Sequence, residues 1–557
     1  MALKKYLTVL ISAVMLFGMV GCNEINQTPP RIYENTEAPL ITSTEPIAAS
    51  AVTTVSVTTT AELTGPEFAQ IPLHVPDIYT EEAELICQAE DQPLPALFKT
   101  MNEKTDYTGS GYISGLSGEL NNTFIFNAEI PSAQHYDISV VVCAEEGAEC
   151  TVFVNDEETE NIIIESSDRF ISATIPGIYM ETGTNKISIQ QVSGDMLLDC
   201  IEIHNNISLK PDTFISAVPV NENASSETKT LLQFLCDNYG KAIISGQQVS
   251  DSSNSEIERI FTSTGKYPAI RFADMYLYSL NGGSSAKQEI VNSAVEWSES
   301  GGITGLMWHW FAPVGESGKL EESEQFSLSS AVTFEDIACL TPLEIENLEK
   351  KGEISKECAA IIEDIDSVSE GLKELKNAGV PVLWHPLHQG GDDSYWWNSS
   401  GSDVYRWLWD LVYKRMTEYH KLDNLLWVWS GTDEDYLPYS SEYDIAAADI
   451  YLEENEIFGS GYESYYALQN MTDGKLIALS ECSSLPDITS AFRDGSVWSY
   501  FGLWYEPYLE KEDNQFVDTE TLIRIYNSEG VLTRDDYIEY CSKSKTSVAA
   551  DESIIEQ

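Results

Sequence analysis

The sequence predicts two folded modules in series, an all-β sandwich (jelly roll) followed by an eight-stranded parallel α/β barrel. Three observations lead there. Short alternating apolar and polar runs fill residues 81–206, and a strand-then-helix rhythm repeats through residues 207–545. The strands of that second part are mostly continuous apolar runs, as a sheet covered on both faces requires. At 557 residues the chain has room for two to four domains.

Ahead of these modules, Lys4 and Lys5 precede an apolar run over 6–20 that ends in Gly21-Cys22. A basic start followed by a short apolar stretch reads as an export signal, too short to span a bilayer. Met19-Val20-Gly21-Cys22 resembles the bacterial lipobox. That resemblance implies a signal over residues 1–22, a lipid on Cys22 and an extracellular protein held at the cell membrane by that lipid alone. Residues 23–80 are rich in Thr, Ser, Pro, Ala and Glu, with few large apolar side chains to offset the entropy of ordering, and predict a flexible stalk. Residues 546–557 predict an acidic tail. The net charge of −59 leaves no basic surface for phosphates and excludes a nucleic-acid partner. It also disfavours acidic polysaccharides, so a neutral polymer is the easier substrate. The nine cysteines after Cys22 include no CxxC pair and no zinc spacing, and their odd number leaves at least one thiol unpaired.

In the first module, runs such as Thr123-Phe124-Ile125-Phe126-Asn127, Ile138-Ser139-Val140 and Lys186-Ile187-Ser188-Ile189 alternate with period two, and Gly and Asx residues punctuate them. Gln88-Ala89-Glu90, Gly109-Ser110-Gly111-Tyr112-Ile113, Val152-Phe153-Val154-Asn155, Gly183-Thr184-Asn185 and Leu198-Asp199-Cys200-Ile201-Glu202 together resemble carbohydrate-binding module families 6 and 35. The resemblance implies a sugar-binding module with a structural calcium held by Glu90 and Asp199. Oxygen ligands suit that hard cation, although acids on a sandwich edge also occur simply as solvated groups.

In the second module, strands are predicted at 242–245, 268–272, 302–308, 381–385, 425–430, 445–450, 476–480 and 497–504. Helices are predicted over 404–420, with Val404, Trp407, Leu408, Leu411 and Val412 on the buried face, and over 356–378, stopped at Gly379. Eight strands alternating with helices predict a TIM barrel, with an open doubly wound sheet as the alternative.

Barrel chemistry sits at the C-terminal ends of the strands. There the sequence offers Asp274 after strand 2, His309 after strand 3, His385, His388 and Gln389 after strand 4, Asp449 and Tyr451 after strand 6, Glu481 after strand 7 and Trp504 after strand 8. Trp308, Trp310, Trp396, Trp397, Trp498 and Trp504 could supply stacking platforms for sugar rings; each could equally be a large core hydrophobe.

Gly302-Ile303-Thr304-Gly305-Leu306-Met307-Trp308-His309, Pro381-Val382-Leu383-Trp384-His385-Pro386-Leu387-His388-Gln389, Tyr395-Trp396-Trp397, Trp427-Val428-Trp429-Ser430, Asp449-Ile450-Tyr451 and Ser480-Glu481 resemble glycoside hydrolase family 26, largely endo-β-1,4-mannanases. The resemblance implies a retaining hydrolase acting on β-mannan or a related β-glycan, with no cofactor for catalysis. Glu481 takes the nucleophile position, and His309, His388, Asp274, Asp449, Tyr451, Trp396, Trp397 and Trp504 contact sugar or orient the site. A retaining glycosidase needs a nucleophilic carboxylate and an acid about 5 Å away. Here the acid/base position carries Gln389, an amide that cannot give up a proton. His385 stands where the family has Arg, and Ser394 where it has an aromatic. Asp392 and Asp393, a few residues beyond Gln389, and Glu434, after strand 5, are the acids that could substitute if their loops bend toward the site. Two functions follow as expectations, a β-mannanase-type hydrolase with an altered proton donor, or a barrel that binds β-glycan at the cell surface without cleaving it.

Overall fold

The computed structural model describes residues 65–75, 85–117, 122–206, 215–283, 286–321, 325–452, 458–472, 474–505 and 516–543. Cys22 and the acidic tail lie outside them, as does all of the expected stalk except residues 65–75. That stretch differs from expectation. Ile71 pairs with Ser528, its N–H donates to Asn527 O, its carbonyl accepts from Glu529 N, and Leu73 packs on the barrel core. Backbone pairing at Ile71, whose side chain is exposed, and the packed side chain of Leu73 hold in place a segment whose composition reads as stalk.

Among the described residues, ten antiparallel strands make the sandwich. One sheet runs Lys99–Met101, Tyr112–Leu116, Met196–Asn205, Gln134–Cys143, Ile171–Met180, with Leu85–Gln88 also on Met196–Asn205; the other runs Thr123–Ile130, Gly183–Ser193, Ala148–Val154, Glu157–Ile164. Period-two alternation becomes burial. In Thr123–Ile130 the side chains of Phe124, Phe126, Ala128 and Ile130 are inside, those between them outside, and they meet Ile187, Ile189, Val140 and Ile138 in one core.

Eight parallel strands close the barrel: Gly246–Gln248, Ile270–Asp274, Ile303–Met307, Val382–His385, Leu425–Ser430, Ile445–Ile450, Leu476–Cys482 and Phe501–Leu503. The predicted first strand is displaced. Ile243–Ile244 pairs with Val531–Leu532 in a separate ladder, and the barrel strand starts at Gly246. A Cβ at Gly246 would stand 2.4 Å from the Phe501 carbonyl oxygen and 2.6 Å from the Phe272 ring, so only glycine lets the barrel close there. The predicted helix over 404–420 is Ser402–Lys414 followed by a π turn, Arg415–Tyr419. Its buried face is Tyr405, Leu408, Trp409, Leu411 and Val412, while Val404 and Trp407 are only half-buried. Arg415, fully buried in that turn, donates to both carboxylate oxygens of Asp366 and to the carbonyls of Ala338 and Leu340.

The sandwich meets the barrel through a buried polar contact. His135 approaches Gly177 O through Nδ1 (3.1 Å) and Asp494 Oδ1 through Nε2 (3.4 Å), and Tyr462 packs on its ring. Arg493 donates to both oxygens of Asp494 and to Tyr179 Oη. Despite burial, hydrogen bonds from His135, Arg493 and Ser460 hold the Asp494 carboxyl down to about 2.

Candidate active site

Barrel strands six and seven slip register between Ala448 and Asp449, so Asp449 comes to pair with Glu481. Two carboxylates thus stand side by side at the barrel mouth, both buried. Ser480 Oγ donates to Asp449 Oδ1 at 2.6 Å, and Tyr451 Oη donates to Glu481 Oε2 at 2.5 Å. His388 Nδ1 lies 3.4 Å from Glu481 Oε1 and 3.5 Å from Asp449 Oδ2. These three atoms are buried, and none has a hydrogen-bond partner among the described residues. Burial first, then the Asp449 charge, pushes the Glu481 carboxyl well above its usual range, and the Tyr451 hydrogen bond opposes this. Burial also pushes the His388 imidazole well below its usual range and His385 down to about 3, so both stay neutral.

Across the mouth, Asp274 and His309 form a second pair. His309 Nδ1 is 2.7 Å from Asp274 Oδ2, and Asp274 Oδ1 accepts from the backbone N–H of His309 and of Tyr276. A ring nitrogen of His309, one of His388 and a carboxylate oxygen of Glu481 all lie within 4.8 Å of one another, as do ligand atoms of His385, His388 and Asp449. Such convergence would suit a metal ion. With His309 Nδ1 held by Asp274 and Glu481 Oε2 by Tyr451, however, the groups read as a hydrogen-bonded acid and base cluster.

Gln389 is half-buried at the rim, in a left-handed backbone conformation with φ of 49°. Its N–H donates to Ser430 Oγ, and its carbonyl accepts from Asn398 Nδ2 and Asp392 N. Its side-chain amide makes no hydrogen bond among the described residues. Ser430 Oγ also meets His385 Nε2 at 2.9 Å, so one hydroxyl ties both departures on strand four to strand five. The acids expected as substitutes lie elsewhere. Asp393 and Glu434 are exposed, and Asp392 Oδ1 accepts from Ser394 N to cap its own turn.

The tryptophans depart from the platform reading. Trp308, Trp310, Trp396, Trp397 and Trp498 have no exposed surface. Trp396 Nε1 donates to Trp310 O and Trp397 Nε1 to His388 O, and Trp308 stacks on Trp310. Side chains without an exposed face offer none to a sugar, so these rings brace the strand ends from beneath. Trp504, 3% exposed, stands edge-on to His309 and stacks on Tyr505 at the mouth. Sequence reasoning assigns no role to Ser430, Ser480, Asn398 or Tyr395, which packs between His388 and Trp397. The available signal is position, since Ser430 and Ser480 end apolar strand runs.

In the sandwich, Glu90 Oε1 accepts from Ser110 N, Ser110 Oγ and Gly111 N, and Asp199 Oδ2 from Thr108 N and Oγ1. Their second oxygens, Glu90 Oε2 and Asp199 Oδ1, are buried without a partner. Burial, with a smaller push from the Glu90 charge, raises the Asp199 carboxyl. Two neighbouring carboxylates with one idle oxygen each would suit a hard cation such as calcium.

Comparison with known proteins agrees with the barrel. The chain is 29% identical over 443 residues to a mannan endo-1,4-β-mannosidase of Thermothelomyces thermophilus, spanning 77% of this chain and 86% of that one. A mannan endo-1,4-β-mannosidase of Bacillus subtilis is 27% identical over 283 residues, 46% of this chain and 73% of that one. Among solved structures, the GH26-CBM35 β-(1,4)-mannanase of Podospora anserina superposes with a TM-score of 0.62 at 29% identity, over 82% of this chain and 98% of that one. The glycosyl hydrolase family 26 model matches residues 220–536, and the chain belongs to that family.

Proposed function

We propose that the protein is a retaining β-glycanase of the endo-β-1,4-mannanase type, exported, tethered through a lipid on Cys22, and delivered to β-mannan or a related glycan by its sandwich module. Glu481 is the nucleophile. The observation that carries this is its setting. One carboxylate oxygen is held by Tyr451, while the other is buried without a hydrogen-bond partner at the mouth of the barrel. An oxygen so placed can close on an anomeric carbon, and the Tyr451 hydrogen bond favours the ionised form against burial. Asp449 and His388 orient it, Trp504 borders the sugar, and Glu90 with Asp199 holds calcium in the sandwich.

Gln389 favours a second reading, a barrel that binds β-glycan without turnover. The test is hydrolysis of β-1,4-mannan by the full chain and by Glu481→Ala, with the anomer formed first read by NMR. Cleavage with retained configuration, lost in Glu481→Ala, supports the hydrolase. Mannan binding with no cleavage by the intact protein supports the binding reading.

A further inference from the structure

We propose that His309, oriented by Asp274, is the proton donor that replaces the missing acid at Gln389; this rests on the hydrolase reading, with Glu481 as nucleophile. The acids nearest Gln389 in sequence are exposed or tied into their own turn. Tyr451 is spent on Glu481 itself, and His388 and His385 are held neutral by complete burial. His309 differs from both in having a dedicated carboxylate. Asp274 takes its Nδ1 through one oxygen and its backbone N–H through the other, which fixes the ring plane and leaves Nε2 uncommitted to Asp274. A carboxylate so placed holds the ring in one orientation and sets which nitrogen exchanges the proton. The spacing also suits the task, for a His309 nitrogen lies within 4.8 Å of a Glu481 oxygen, and retaining sites keep their two groups about 5 Å apart.

The steps balance. Glu481 Oε1 forms a bond to the anomeric carbon as the bond from that carbon to the leaving sugar oxygen breaks, and the proton on His309 Nε2 passes to that oxygen. Water then gives a proton to the neutral Nε2 as its oxygen bonds to the anomeric carbon, and the bond to Glu481 returns its electron pair to the carboxylate.

The experiment compares β-1,4-mannan with 2,4-dinitrophenyl β-mannobioside, whose leaving group needs no proton. It uses the full chain, His309→Asn, Asp274→Asn, Gln389→Glu and the double variant His309→Asn/Gln389→Glu. His309→Asn is expected to lose on the order of 10²- to 10⁴-fold on mannan and far less on the activated glycoside. Azide is expected to raise its turnover of the activated glycoside and yield β-mannosyl azide, because azide needs no base to attack. Asp274→Asn should fall between. The double variant should regain mannan cleavage, because the carboxyl introduced by Gln389→Glu donates the proton without His309. Equal losses on both substrates in His309→Asn, without azide rescue, would show a sugar contact or a structural role and overturn the proposal. Cleavage of the activated glycoside but not of mannan by the intact protein would also overturn it while leaving Glu481 as nucleophile. An intact protein inert on both substrates would remove the hydrolase reading, and the donor with it.

Discussion

Asp364 ties the pH response of this barrel to the floor of its active site. It is completely buried on the helix Lys356–Asn377, with Oδ2 accepting from Trp310 Nε1 at 2.7 Å and Oδ1 from Leu280 N at 2.5 Å. Burial outweighs those two hydrogen bonds and raises its carboxyl from the ordinary 3.8 to about 7. A carboxyl whose folded value is raised binds its proton more tightly folded than unfolded. Its stabilisation is complete below the unfolded value near pH 4 and declines as pH rises to about 7. Across that window the shift corresponds to about 4 kcal/mol. Asp364→Asn removes the titration but turns an amide N–H toward one of the two donors, a cost of roughly 1–3 kcal/mol that does not vary with pH. The variant is therefore less stable than the parent near pH 4, and the gap closes or reverses by pH 7. Urea unfolding at half-unit pH steps, followed by tryptophan fluorescence, measures it. A stability difference that stays constant from pH 4 to 7 would show that Asp364 does not titrate in this window and refute the reasoning.

Trp396→Ala should destabilise the barrel by roughly 3–5 kcal/mol, as loss of a buried aromatic does; loss of mannan affinity at unchanged stability would point back to a platform. Tyr451→Phe removes the donor to Glu481 Oε2 and should lower kcat on the activated glycoside about 10- to 100-fold, the worth of a hydrogen bond to a charged group. Asp494→Ala should cost about 2 kcal/mol at pH 7. Because the folded value is depressed to about 2, that cost should vanish as pH falls from about 4 toward 2, as read by urea unfolding of parent and variant. Calcium should raise the melting temperature of the full chain, and Asp199→Ala should abolish the rise, as followed by calorimetry.

Strands five and six of the barrel, Leu425–Ser430 and Ile445–Ile450, match the sequence reading residue for residue, because each is a continuous apolar run with polar residues at both ends. The first and last strands are less legible. Each is three residues long, and its limits are set by pairing and by close contacts such as that at Gly246, which arise from residues far along the chain. Which residues end the strands can be read, and so the set gathered around Glu481 can be named. Side-chain direction cannot. The sequence places Trp396 and Trp397 beside polar residues, and only packing turns both rings inward. The register slip that brings Asp449 against Glu481 likewise depends on two strands together and leaves no mark on either alone.

The left-handed turn at Gln389 is uncommon for a side chain of this kind and costs of order 1 kcal/mol. Ser430, Asn398 and the turn to Asp392 hold it through main-chain atoms alone, so its shape is indifferent to whether the side chain ends in an amide or a carboxyl. Glutamine and glutamate codons differ by a single base. The position therefore keeps an inheritance that costs the chain little to carry, a socket from which one nucleotide change could return a carboxyl to the rim of the barrel without rebuilding the loop around it.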